Sequence, residues 1–239
     1  MTAFNSLHAA PGTPQLPFQR RAEDPVQVNA QFGELIRRQT AMSREQLNAL
    51  HRKLLGPKGI FVELASQIER MGRQAPLLDD VGRLNEPRSR QAEKTVAFVL
   101  SQVNRRSSAY NPFRGRTRNY LCCVVFCDPS EFTLVERYAA YEALRQRDSD
   151  LFIKLIATTR GVQERRIVFR GLLEHFDSLL PLEKCFYPPT YRDAQQQHLD
   201  REEEMYGPLI LEDSLTVLLQ KNTPHQLLKQ IQSRQAPQT

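Results

Sequence analysis

Five arginines and no acidic residue fall between Arg105 and Cys127, and the segment runs straight into the longest apolar stretch of the chain, Tyr120 to Cys127. Guanidinium forks match phosphates and guanine edges, so the chemistry on offer is recognition of a polyanion. Read as a strand, Arg116 to Cys127 puts Arg116, Arg118, Tyr120, Cys122, Val124 and Phe126 on one face. Thr117, Asn119, Leu121, Cys123 and Val125 take the other. Both faces turn apolar in the second half, so only the first half can meet DNA. The candidate base readers are Arg116 and Arg118, with Thr117 and Asn119 as the alternative register and Tyr120 beside them. Arg105, Arg106 and Arg114 are candidates for the phosphate backbone, and Ser149, at an expected helix start, for N–H donation to a phosphate. Leu121, Val124, Val125 and Phe126 would then be buried between two copies.

The elements expected to position these residues follow from local signals. Arg116 to Cys127 is β-rich in composition. Asp128-Pro129-Ser130-Glu131 reads as a helix start, with Asp128 as cap and Pro129 in the first turn. That helix is expected to reach about Leu144. Arg145-Gln146-Arg147-Asp148 reads as a short polar turn before a second helix from Ser149, which ends or kinks near Gly161. Strand, helix, turn, helix is the layout of a ribbon-helix-helix DNA reader. A lone two-residue-period strand lacks partners for its backbone groups, so two chains must pair their strands, and the reader is a homodimer with a β-ribbon in the major groove. The competing reading is an edge strand of an α+β core beside a solvated arginine loop.

Elsewhere the pattern is helical. Residues 1–26 carry four prolines among polar residues and read as a flexible arm. Residues 27–106 form an N-terminal helical region, with a cap at Ser43, a break at Gly56-Pro57, a helix over Ile60 to Met71 and another over Ser89 to Asn104. Residues 107–180 form the ribbon-helix-helix core, with a late helix built on Ile167, Phe169, Leu172, Leu173 and Phe176. Residues 181–239 form a C-terminal helical extension. There Tyr187-Pro188-Pro189 is a rigid link, a polar helix spans Thr190 to Tyr206, and two short helices cover Leu211 to Gln220 and Thr223 to Gln232. The fold class expected is mostly α with a small β-ribbon.

Composition narrows the partner. A net charge of +6 and a pI near 9.3 suit nucleic acid or an anionic surface. The longest apolar run is far short of the roughly 20 residues of a membrane span, and residues 1 to 17 lack the apolar centre of a signal peptide. Cys122, Cys123 and Cys127 sit too close on one element for a disulfide framework, which points to a reducing, cytoplasmic setting. Cys123 and Cys127 with His175 or His198 fit no standard zinc spacing, and no metal or cofactor is expected. Arg160, Arg165, Arg166 and Arg170 read as a solvated helix face, as does the mostly acidic run Asp200 to Glu204. Phosphate-loop, dinucleotide-loop, HExxH and nucleophile-elbow motifs are missing from the sequence, so no enzymatic role is expected.

The middle and C-terminal residues resemble the AcaB family of transcriptional regulators of conjugative plasmids and integrative conjugative elements. The likeness covers about residues 105 to 215. It is carried by Asn111-Pro112 with Gly115, the apolar segment ending at Asp128, Arg147-Asp148, Thr190, Arg192-Asp193, and Met205-Tyr206-Gly207-Pro208-Leu209. The chain departs from the pattern in its extra basic residues after Asn111 and in Phe113-Arg114, where an aromatic followed directly by Gly is expected. The resemblance implies a homodimeric ribbon-helix-helix DNA binder that activates genes for conjugative transfer. As a DNA binder it is expected at the nucleoid or plasmid, with its N- and C-terminal helices shaping the dimer or recruiting RNA polymerase or another regulator. Two alternatives remain: a DNA-binding accessory factor in plasmid processing or partition, and a helical interaction protein of a transfer assembly.

Overall fold

A computed structural model describes residues 25–84, 86, 88–104, 109–127, 131–157 and 165–235. Among these, every regular element is helical and no strand is present. The helices are Pro25–Thr40 (α1), Arg44–Leu55 (α2), Ile60–Met71 (α3), Arg88–Asn104 (α4), Arg118–Phe126 (α5), Leu134–Ala157 (α6), Arg165–Ser178 (α7), Pro181–Lys184 (α8), Tyr191–Tyr206 (α9), Leu215–Lys221 (α10) and Pro224–Gln235 (α11). Three single 3₁₀ turns link α3 to α4.

Much of this punctuation follows local chemistry. Ser43 and Gln46 form a reciprocal capping box at the start of α2. Gly56 and Gly59 turn the chain into α3, and a Cβ on Gly59 would lie 2.6 Å from backbone atoms of Leu54 and Leu55. Only glycine fits that approach. α9 spans the residues expected of it, and Gly207 ends it at φ 77°.

The β-ribbon is not formed. Arg118–Phe126 is a helix, and its last six residues, Leu121 to Phe126, are all buried. A helix covered on every side keeps no polar stripe, so neither a period of 2 nor one of 3.6 survives in its sequence. Composition alone favoured a strand; burial decided otherwise. Thr117 caps the helix by accepting from the Tyr120 N–H. At the other end Arg38 donates to the Phe126 carbonyl at 2.5 Å and Arg137 to the Val125 carbonyl at 3.0 Å, placing cations on the orphan C-terminal groups. Leu121, Val124, Val125 and Phe126 therefore pack inside their own subunit, and strand pairing between two copies has no basis.

A second correction concerns α6. Arg145 to Asp148, read as a turn, lies within this one 24-residue helix, about 36 Å long at 1.5 Å per residue. No glycine or proline interrupts it there. Arg145 pairs with Glu142, and Gln146 donates to Asp150, so spacings of three and four support the helix through the polar stretch. Ser149 thus sits in a helix interior and offers no helix start to a phosphate. The start of α6 is built by Thr133 and Glu136, whose carboxylate accepts from the Thr133 N–H at 3.0 Å. The cap assigned to Asp128 lies outside the described residues, as do Arg105, Arg106, Arg160, Gly161 and residues 1–24 of the expected arm.

α6 joins two hydrophobic cores. Its first half gives Val135, Ala139, Ala140, Ala143 and Leu144 to the larger one, which also takes α5, α3, α4 and Leu35 of α1. Its second half gives Leu155, with Leu151 and Phe152 packed alongside, to a smaller core with Ile167 of α7, Leu215 and Leu219 of α10, and Leu227 and Ile231 of α11. Gly171 lets α7 lie close here, since a Cβ on it would meet Leu155 Cδ2 at 2.4 Å.

Candidate functional site

The loop before α5 is fixed by two residues. Asn111 donates from Nδ2 to the Ala139 carbonyl of α6 at 2.9 Å, and its Oδ1 accepts from the Phe113 N–H at 2.9 Å. Phe113 is buried in the larger core. The Arg114 N–H reaches the Asn111 carbonyl and the Arg116 N–H the Phe113 carbonyl, with Gly115 at φ 84° between them. Arg114 and Gly115 are thereby turned outward.

Exposed or half-exposed arginines gather on this loop. The Arg114 guanidinium lies over the Tyr110 ring, 5.6 Å from its centroid, and that of Arg116 over the Tyr120 ring at 5.3 Å. Arg147, one turn beyond Ala143 on α6, donates to the Arg116 carbonyl and so joins the same rim. Among the described residues no carboxylate lies within ion-pair distance of Arg114 or Arg147. Thr117 and Asn119 are exposed at the start of α5, Thr117 spending its hydroxyl on the cap.

Arg118 is placed differently from the other candidate readers. Its side chain points into the protein, where Nε donates to Glu183 Oε1 at 2.6 Å and Nη1 to Asp148 Oδ1 at 2.8 Å. Tyr187 donates its hydroxyl to Asp148 Oδ2 at 3.1 Å. His175 Nε2 lies 3.3 Å from Asp148 Oδ1 and 3.4 Å from the Tyr187 oxygen. The second Glu183 oxygen accepts from the Leu180 N–H at 3.0 Å, closing the network. Five side chains from α5, α6, α7, α8 and the link to α9 meet at one buried point.

Their electrostatics follow from that burial. Desolvation works against the Asp148 carboxylate, yet hydrogen bonds from His175 and Arg118 outweigh it and hold its pKa below the usual carboxylate value. Desolvation likewise works against the Arg118 cation, and its bond to Asp148 and the charge of Glu183 overcome it, so its pKa rises. Burial, then the nearby Asp148 charge, pushes the Tyr187 phenol up. Burial, then Glu183, does the same to the Cys122 thiol. With Nε and Nη1 both engaged by buried carboxylates, Arg118 acts as a structural cation of this network and is not placed as an outward base reader. A cleft of about 220 Å³ opens above the network between Phe32, Asn119, Ser178 and Leu179.

Nothing at sequence level marks Asp148, His175, Glu183 and Tyr187 as members of a network with Arg118; they lie 30, 57, 65 and 69 positions away. The other basic cluster is also partly internal. Arg166 is buried and donates to the Tyr206 and Gly207 carbonyls at the end of α9. Glu202, within the acidic run expected to be solvated, is buried 3.7 Å from Arg165. His198 stacks on Phe169, and no group of three or more potential metal ligands occurs among the described residues. No described helix is long and apolar enough to cross a membrane.

Comparison with family models, with curated proteins and with solved structures gives no match for this chain. The resemblance to the AcaB family stands on the quoted residues alone.

Proposed function

We propose that this chain is a DNA-binding regulatory protein that meets the duplex backbone through the arginine rim around the start of α5. The observation that carries this reading is the meeting of Arg114 and Arg116, on a loop pinned by Asn111 and Phe113, with Arg147 of α6, the loop being continuous in sequence with Arg105 and Arg106. A rim of this kind binds phosphates, and phosphate contacts set register and orientation more than sequence choice. Aromatic rings beneath two of the guanidinium groups hold them extended, which lowers the entropy lost when they engage a phosphate. Asn119, exposed beside the rim, is the candidate for a base edge. The role in conjugative transfer genes and the activator sense come from the family resemblance; a cytoplasmic, nucleoid-associated location and recruitment of polymerase or another regulator belong to the same proposal, the former suggested by the cysteine pattern and the latter by the flanking helices. A homodimer, in this reading, joins through a face other than α5.

Fluorescence anisotropy on labelled duplexes across a salt series tests the rim. Replacing Arg114, Arg116 and Arg147 together by Ala is expected to weaken binding on every sequence and to lower the salt slope by about 2 to 3, near 0.9 for each lost phosphate contact. Unchanged affinity in the triple variant would refute the assignment. If the unmodified protein retards no DNA even at low salt, the interaction-protein alternative takes over. Ile153 and Ile156, 63% and 59% exposed one turn apart on α6, are the surface that reading would use.

A further inference from the structure

On the far side of the buried network, a crevice of about 250 Å³ separates α2 from the segment joining α8 to α9. Its two walls differ in chemistry. α2 lays its apolar stripe, Leu47, Leu50 and Leu54, against the larger core. A second stripe on the same helix, Arg44, Asn48 and His51, lines the crevice together with the edge of Leu47. The opposite wall is aromatic and proline-rich: Phe176, Tyr187, Pro188 and Pro189. Phe176 and Tyr187 pack edge to face at 5.5 Å, and both lean on Tyr191, so this wall is rigid before any ligand arrives.

Charge on the crevice is unbalanced. Arg44, Lys184 and Arg192 line it against one carboxylate, Asp193. Arg192 is already held in two bonds by Asp177, at 2.9 and 3.1 Å. Lys184 lies over the Phe176 ring and makes only a long 3.4 Å contact with the Asp177 carbonyl. Among the described residues, neither the Arg44 guanidinium nor the half-buried Asn48 amide has a hydrogen-bond or ion-pair partner. His51 ties α2 to the far wall by its Nδ1 contact with the Cys185 carbonyl, which fixes the width of the gap.

We infer that this crevice binds a small organic anion with a flat ring, an aryl phosphate or aryl carboxylate. The ring lies on Phe176, Tyr187 and Pro188, and the anionic head reaches Arg44, Asn48 and Lys184. The donors supply orientation and charge selection, and the apolar wall supplies contact area, which is the usual division of labour in a small-molecule site. A purely inorganic anion would leave the aromatic wall unused, and a ring-bearing cation would meet the wrong sign. The site lies apart from the arginine rim and does not depend on DNA binding.

Titration calorimetry with phenyl phosphate, inorganic phosphate and benzylammonium, paired with amide and side-chain NMR shifts, tests the inference on the full chain. Phenyl phosphate is expected to bind in the millimolar range or tighter, at least about tenfold better than inorganic phosphate, a difference one buried ring readily provides. Shifts should centre on Asn48, His51 and Lys184. Arg44→Gln combined with Lys184→Gln changes two side chains outside the buried core, and should abolish binding while leaving the melting temperature near that of the parent. Absence of phenyl phosphate binding overturns the proposal, as does equal binding of benzylammonium or undiminished binding by a folded double variant. Benzoate distinguishes the carboxylate from the phosphate source, the tighter of the two naming the head group.

Discussion

Along α6 the chain passes from a core in which most of one helix is submerged to one assembled from helices that each bury a single stripe. In the first, α5 has six consecutive buried residues, and its polar ends must be answered inside the protein. Arg38 and Arg137 answer the carbonyls at one end, and Thr117 the Tyr120 N–H at the other. The Arg118 side chain, drawn inward with the helix, is answered by Asp148 and Glu183. In the second core, α10 and α11 keep polar faces in water, and Ile153, Ile156 and Ile210 stay more than half exposed. Burial of α5 thus draws Arg118 against carboxylates, whereas beside the smaller core the buried Arg166 is answered by the backbone carbonyls of Tyr206 and Gly207 and more apolar surface is left exposed.

The largest test of that difference is Arg118→Ala. Removing the cation leaves Asp148 and Glu183 buried with a partner missing, which costs about 3–5 kcal/mol when one member of a buried pair is lost. Urea denaturation should show this loss. Arg118→Met combined with Asp148→Asn and Glu183→Gln should recover a large part of it, because no unpaired charge then remains. If the single variant loses less than about 1 kcal/mol, a value typical of exposed pairs, the network is solvated and the contrast between the two cores is false.

Gly171→Val probes the smaller core with a more modest effect. Its added Cβ would press on the Leu155 methyls, at 2.4 and 2.8 Å, where α7 crosses α6. Overpacking of this kind costs about 1–3 kcal/mol, less a few tenths regained because Gly is a poor helix former. The Leu155 methyls are the end of a flexible side chain, so Leu155→Ala in the same chain should relieve the clash. A double-mutant cycle that shows no coupling between positions 171 and 155 would mean that the approach is not tight.

The same contrast explains what could be read in the sequence. Helices with one buried stripe announce themselves, and so α2, α3, α4, α7 and α9 lie close to where apolar spacing and caps such as Ser43 place them. The submerged helix has no stripe to announce. Tyr120 to Cys127 looks identical to a buried strand, because β-branched residues and cysteines are packed for volume, not for backbone preference. The continuity of α6 through Arg145 to Asp148 was hidden for a related reason, since a polar run inside a long helix resembles a loop until its partners at three and four residues are counted. At the candidate site, the exposed arginines of the loop were legible from charge alone. The inward turn of Arg118 was not, because its partners Asp148 and Glu183, with His175 and Tyr187 that bind Asp148, are assembled only by the packing of four other segments.

Response to pH should separate the two regions without any mutation, since the shifted groups belong to the larger core and its charged seam. On the acid side, Asp148 has a folded pKa below its unfolded value, so its contribution is present above the ordinary carboxylate pKa and is lost as pH falls through the depressed one. On the alkaline side the sign reverses. Burial pushes Cys123 up to about 11, Cys185 up to about 12 and Tyr138 up to about 12, and raises Cys122 and Tyr187 as well. A group with a raised pKa stabilises fully below its unfolded pKa, about 8.5 for thiols and about 10 for phenols, and that contribution is lost as pH climbs toward the folded value. Stability measured by urea midpoint should therefore hold from neutrality to about pH 8.5 and then fall. Hydrogen exchange, corrected for its own dependence on hydroxide, should show α5 amides losing protection there before those of α10 and α11. Replacing Cys123 and Cys185 by Ala removes two of the thiols and should shallow the alkaline slope even if it lowers stability at neutral pH. A slope unchanged by those substitutions would mean that the thiols meet solvent, and that the helix carrying Cys123 is not submerged after all.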